Sequence, residues 1–106
     1  MGNYRDRLDI IADILQVVRQ NAKKTHIMYK ANLSYKVLQR YLAEITGAQL
    51  VSFENNTRLF LLTERGQNFL EAYEKYSKTN RNMEKQLNEI ATKRKLLEDL
   101  SAYGMY

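Results

Sequence analysis

The 106-residue chain has no cysteine, no proline and no tryptophan, and only four glycines. Each absence removes a class of explanation. Without cysteine there is no disulfide, no zinc–thiolate site and no thiol nucleophile. Without proline the strongest helix breaker is missing, so a helix-rich chain is expected. Histidine occurs once, at His26. With no carboxylate near it in sequence, a single imidazole makes no metal site, and His26 reads as a surface residue. The longest strongly apolar run, Leu59–Leu62, is far short of the ~20 residues a membrane helix needs. The opening MGNYRDRLD is polar and charged, unlike a signal peptide. No glycine-rich phosphate loop, His–carboxylate metal motif or nucleophile elbow occurs. The expectation is a cytoplasmic chain that is not an enzyme, holds no cofactor or metal, takes no small-molecule ligand and meets no membrane.

Acidic residues are scarce in one region. From Ile14 to Ala43 there is none, while Arg19, Lys23, Lys24, Lys30, Lys36 and Arg40 all fall there. Asp13 and Glu44 bracket the stretch. The formal net charge is +5 and the pI about 9.5. Residues 1–62 hold nine basic and five acidic side chains, against eight and seven in residues 63–106. The excess positive charge is therefore concentrated, as expected of a surface that meets phosphates.

The same region reads as two short helices joined by a turn. A first helix, Asp6 to Asn21, precedes them. Leu8, Ile11, Leu15 and Val18 recur at spacings of three and four, with Ala12 and Ile14 widening the stripe. Asn3 or Asp6 could cap it. Thr25 is the expected cap of the next helix, His26 to Lys30 or Ala31. Asn32-Leu33 makes the turn, since Asn tolerates left-handed backbone. Ser34 caps the third helix, Tyr35 to Thr46, and Gly47 follows its last turn.

With Leu38, Tyr41, Leu42 and Ile45 turned inward, the third helix presents Tyr35, Lys36, Gln39, Arg40 and Ala43 outward. Helix-turn-helix proteins lay the start of the pair's second helix in the major groove. Arg and Lys suit guanine edges or phosphate, and Gln can read adenine. Ser34 and Tyr35 suit a phosphate at the helix N-terminus. The expected DNA-binding set is Lys23, Lys24, Lys30, Ser34, Tyr35, Lys36, Gln39, Arg40 and Arg58.

Two β-rich runs follow, Gln49 to Phe53 and Arg58 to Leu62, around the polar Glu54-Asn55-Asn56-Thr57. This is a hairpin signal, with Glu54 expected to weaken phosphate binding at its tip. Phe60, Leu62 and Leu50 would cover the helical core, which leaves Leu59 and Leu61 without an assigned role. Thr63 is the expected cap of a long helix running to about Ser101. Its apolar positions keep a heptad seam, with Tyr73, Asn80, Leu87 and Arg94 at a and Tyr76, Met83, Ile90 and Leu97 at d. These eight residues are the expected dimerisation set. The expected domains are 1–70, which binds DNA, and 71–106, a coiled-coil helix joining two copies. Charge pattern does not settle whether the coil is parallel or antiparallel.

Lys24-Thr25-His26-Ile27-Met28-Tyr29-Lys30-Ala31-Asn32-Leu33-Ser34-Tyr35 resembles the helix-turn-helix of an archaeal winged-helix family. Leu62-Thr63-Glu64-Arg65-Gly66 is similar to its segment after the wing. The likeness is closest to small Sulfolobus winged-helix DNA-binding proteins. It implies a mainly α (α+β) fold of order αααββα and an antiparallel coiled-coil homodimer. It also implies an archaeal, nucleoid-associated protein that binds double-stranded DNA for chromatin architecture or transcription regulation. An antiparallel coil would hold two recognition helices far apart, which suggests two separated sites or bridged duplexes. A winged-helix protein-interaction module and an RNA-binding protein are the alternatives.

Overall fold

The computed structural model describes residues 4–102, so the expected cap at Asn3 lies outside the described residues. The elements are α1 (Arg7–Val18), α2 (Lys24–Lys30), α3 (Tyr35–Gly47), β1 (Val51–Glu54), β2 (Leu59–Leu62) and α4 (Glu64–Ala102). This is the αααββα order. The chain divides into two units, Met1–Tyr73 and Glu74–Tyr106. The boundary lies beyond the expected residue 70 because Phe69, Leu70 and Tyr73 pack on the first unit's core.

In the first unit, α1 starts at a capping box. The Asp6 carboxylate accepts from the Asp9 N–H and the Asp9 carboxylate from the Asp6 N–H, which satisfies two otherwise orphaned donors. The helix ends at Val18, short of Asn21, whose φ of 57° is left-handed. Ile11, Ala12, Ile14, Leu15 and Val18 are buried, whereas Leu8, expected on the stripe, stays exposed.

α2 corrects an expectation. Its cap position is Lys23, with no side-chain cap, rather than Thr25. The cause lies one residue earlier. Ala22 exchanges both backbone hydrogen bonds with Phe60, at 3.2 and 2.8 Å. That pairing fixes the direction of the chain and leaves Lys23 extended, with its carbonyl accepting from Ile27. The turn after α2 is as expected: Asn32 has φ 54°, and the half-buried Leu33 packs against the core.

Ser34 caps α3, its hydroxyl accepting from the Val37 N–H at 3.3 Å. Leu38, Tyr41, Leu42 and Ile45 point inward. Gly47 remains helical, and Gln49 takes the left-handed conformation (φ 63°) instead. That turn delays β1 to Val51. The strands pair antiparallel with Val51 opposite Leu62 and Phe53 opposite Phe60. Arg58, expected on the second strand, belongs to the connecting turn with φ 59°. Phe60 is buried, while Leu59, Leu61 and Leu62 are half-buried.

Thr63 closes the first unit. Its hydroxyl hydrogen reaches the Gln49 and Leu50 carbonyls, at 2.7 and 2.9 Å, and its oxygen accepts from the Gly66 N–H at 2.9 Å. Gly66 consequently lies hard against the Leu50 carbonyl, with no room for a side chain. Leu70 is fully buried in the core with Ile14, Leu15, Ile27, Leu38 and Ile45.

The described part of the second unit is helical, and all its residues except Ser77 are exposed. Arg94–Glu98 and Lys95–Asp99 pair one turn apart. No helix among the described residues is long and apolar enough to cross a membrane.

Candidate nucleic-acid interface

The N-terminal half of α3 stands on the first unit's surface. Leu38, Tyr41 and Leu42 anchor its inner face, which leaves Ser34, Tyr35, Lys36, Gln39 and Arg40 exposed. Two expected residues from different helices meet here. The Lys24 ammonium donates to the Tyr35 hydroxyl at 3.3 Å and lies 4.7 Å from the centre of its ring. A cation on a π face is favourable, so Lys24 joins the start of α2 to the start of α3. The Arg40 guanidinium lies 5.6 Å from the centre of the Tyr41 ring. Among the described residues, no carboxylate pairs with Lys23, Lys24, Lys30, Lys36, Arg40 or Arg58.

The nearest acids are engaged elsewhere. Glu44 pairs with Arg7, and Asp13 with Arg5 at 2.9 Å. Arg5 also donates to the Ala31 and Asn32 carbonyls at 2.6 and 3.0 Å. A cation at the C-terminal end of a helix suits its dipole, so Arg5 is a cap for α2 and not part of the outward basic face.

A groove of about 600 Å³ separates α3 from the hairpin. It gathers four expected residues, Lys23, Lys24, Gln39 and Arg58, with Leu42, Ala43, Thr46, Phe53 and Phe60. Sequence reasoning missed Phe53 and found no sign of a pocket. The signal available was the pairing of two phenylalanines across the hairpin, whose rings stand 4.8 Å apart. Lys30 is not part of this groove. It lines a separate depression of about 390 Å³ with His26 and Gln20.

Glu54 keeps its charge at the wing tip, with the carboxylate engaged by the turn itself. Its carboxylate accepts from the Thr57 hydroxyl at 2.5 Å and from the N–H groups of Thr57 and Asn56 at 2.7 and 3.1 Å. The Thr57 hydroxyl, then the two N–H groups, hold its pKa below the ordinary value. Glu54 is thus the organiser of the turn that places Arg58.

The expected dimerisation residues divide. Tyr73 belongs to the first unit, half-buried against its core, stacked on Phe69 and bonded to Asp9. Tyr76, Asn80, Met83, Leu87, Ile90, Arg94 and Leu97 lie exposed on the second unit's helix.

A family comparison matches residues 4–81 to the winged helix-turn-helix family. The chain belongs to the winged helix-turn-helix family. Its hairpin is the wing, and α3 holds the place of the recognition helix. An uncharacterized protein of Methanocaldococcus jannaschii is 34% identical over 71 residues, 66% of this chain. This chain spans about a third (33%) of that relative's length. Among solved structures, Sso10a-2, a DNA-binding protein from Sulfolobus solfataricus, superposes with a TM-score of 0.75 at 23% identity, covering 83% of this chain and 95% of that one. Lactococcus lactis ZitR in complex with DNA superposes with a TM-score of 0.56 at 15% identity, covering 95% and 78%. The winged-helix resemblance seen in the sequence is borne out.

Proposed function

We propose that this winged helix binds double-stranded DNA through the start of α3 and that two copies pair through the second unit. The observation that carries the DNA reading is the exposed set Ser34, Tyr35, Lys36, Gln39 and Arg40, flanked by Lys23, Lys24 and Arg58, with no carboxylate paired to any cation in it. A wing that holds Arg58 beside a recognition helix is a phosphate-tracking arrangement. Sso10a-2 is itself described as DNA-binding, and ZitR has been solved with DNA.

Pairing is supported by the second unit's apolar stripe. Met83, Leu87, Ile90 and Leu97 keep 58, 58, 62 and 67% of their surface exposed. Large apolar residues at heptad spacing on an exposed helix suit a second helix of the same kind. The reading is of a nucleoid-associated homodimer with an antiparallel coil, organising DNA or regulating transcription.

The test is a salt titration of duplex binding by fluorescence anisotropy. About four to six phosphate contacts per site predict a log–log slope of roughly −3 to −5. No duplex binding at low salt would sink the DNA reading. Selection from random duplexes separates the two roles: a flat outcome marks an architectural protein and a motif marks a regulator.

A further inference from the structure

The groove between α3 and the wing has a lining that phosphate alone does not explain. Phosphate has no apolar surface, yet the floor here is Leu42 and Ala43 on α3 with Phe53 and Phe60 across the hairpin. The two rings are tilted by 51°, and Phe53 keeps 41% of its surface exposed. A concave wall with an exposed aromatic face suits a flat apolar body. The volume of about 600 Å³ is in the range that takes small organic molecules.

The groove carries charge of one sign. Lys23, Lys24 and Arg58 line it, and no carboxylate does. Lys24 is already held by Tyr35. Lys23 and Arg58 have no side-chain hydrogen bond or ion pair among the described residues. Arg58 ends the turn, which its own N–H closes onto the Glu54 carbonyl at 2.8 Å. That bond sets the backbone from which the side chain extends, and a guanidinium offers two parallel donors to a carboxylate.

We propose that this groove binds a small aromatic carboxylate, with its ring against Phe53 and its carboxylate at Arg58 and Lys23. A neutral aromatic would leave the cations uncompensated, and an inorganic anion would leave the apolar floor wet. Lys23, Lys24, Gln39 and Arg58 also belong to the duplex-facing set, so the two occupants exclude each other. That exclusion rests on the DNA reading; the filling of the groove does not.

The experiment is an amide NMR titration of the full chain, without DNA, using 2-naphthoate as probe. Neutral 2-naphthalenemethanol and inorganic phosphate are the comparisons. Saturable shifts are expected at Leu42, Ala43, Phe53, Arg58 and Phe60, with both comparisons weaker by about tenfold. Arg58→Asn, which keeps a residue tolerant of left-handed backbone, should weaken 2-naphthoate about fivefold or more while preserving the remaining spectrum. Scattered or non-saturable shifts, phosphate binding as tightly as 2-naphthoate, or unchanged affinity in Arg58→Asn would overturn the site. In the anisotropy assay, saturating 2-naphthoate should raise the duplex midpoint about threefold or more by direct competition. An unchanged midpoint with the groove filled would overturn the exclusion. A chain that fills the groove but binds no duplex would count against the DNA reading alone.

Discussion

The Tyr73 hydroxyl donates a hydrogen bond to the Asp9 carboxylate and so ties the early part of α4 to the first turn of α1. The same carboxylate closes the capping box with Asp6. These bonds hold the Asp9 pKa below its ordinary value of 3.8, the Tyr73 hydroxyl contributing most. A carboxylate with a depressed folded pKa adds stability above its unfolded pKa and loses it as pH falls through the folded value. Tyr73→Phe should therefore cost about 1 kcal/mol at neutral pH. The deficit should shrink below about pH 4. Urea unfolding of both chains at neutral and acid pH checks this. An equal deficit at both would show that ring packing, not the bond, carries the effect.

Two glycines give opposite predictions. At Gly66 a Cβ would strike the Leu50 carbonyl oxygen and come within 2.6 Å of Leu62 Cδ1. Backbone cannot yield as a flexible side chain can, so Gly66→Ala should destabilise by about 2–3 kcal/mol. At Gly47, inside α3, a Cβ meets nothing within 4 Å. Gly47→Ala should stabilise by about 0.5 kcal/mol or slightly more through helix propensity. Thermal unfolding should move in opposite directions for the pair, and a shared sign would refute the reading of their surroundings.

The turn between α2 and α3 makes a local prediction. Ser34→Ala removes the hydroxyl that accepts from Val37 and should cost about 1 kcal/mol. Asn32→Ala strains a left-handed residue and should cost about 1–2 kcal/mol, whereas Asn32→Gly is tolerated. Denaturant midpoints of the three variants decide the matter.

The proposed DNA contact predicts a change in salt dependence as well as affinity. Lys36→Ala and Arg40→Ala should each weaken duplex binding about five- to tenfold and reduce the log–log slope by about one. Lys95, paired with Asp99 on the second unit, is the control, and Lys95→Ala should leave both unchanged. A Lys95 effect equal to that of Lys36 would point to diffuse charge rather than a recognition face.

The proposed pairing predicts that Ile90→Lys, which places a charge at a d position, disperses the dimer while the first unit stays folded. Light scattering reads the mass, and near-ultraviolet dichroism of the tyrosines reads the fold. A dimer that persists at micromolar concentration would show that the stripe is not the seam.

What the sequence disclosed follows distance along the chain. Ser34 and Asn32 were readable because a cap and a left-handed turn depend on a few neighbouring residues. The α3 face was readable because 3.6-residue periodicity assigns it. Lys23 as the cap position of α2 was hidden, since it depends on Phe60 pairing with Ala22 from 38 residues away. Arg5 as a cap for α2 was hidden for the same reason, its acceptors being 26 and 27 residues distant. Heptad spacing placed Tyr73 on the seam because periodicity marks the apolar face of a helix but not the partner that covers it. The groove at Phe53 required a hairpin register that starts two residues later than composition suggested, after the turn at Gln49.

The pair of hydrogen bonds between Ala22 and Phe60 has a consequence for how the winged helix opens. It makes β2 the middle of three backbone segments, with β1 on one side and the α1–α2 connector on the other. β2 therefore cannot detach at Phe60 without releasing the chain that leads into α2. In hydrogen exchange, the Ala22 and Phe60 amides should share one opening free energy, close to that of the buried helices, although Ala22 lies in a connector. A ligand that clamps the wing would slow both amides together, and the rigidity of the hairpin and that of the helix pair would be one property.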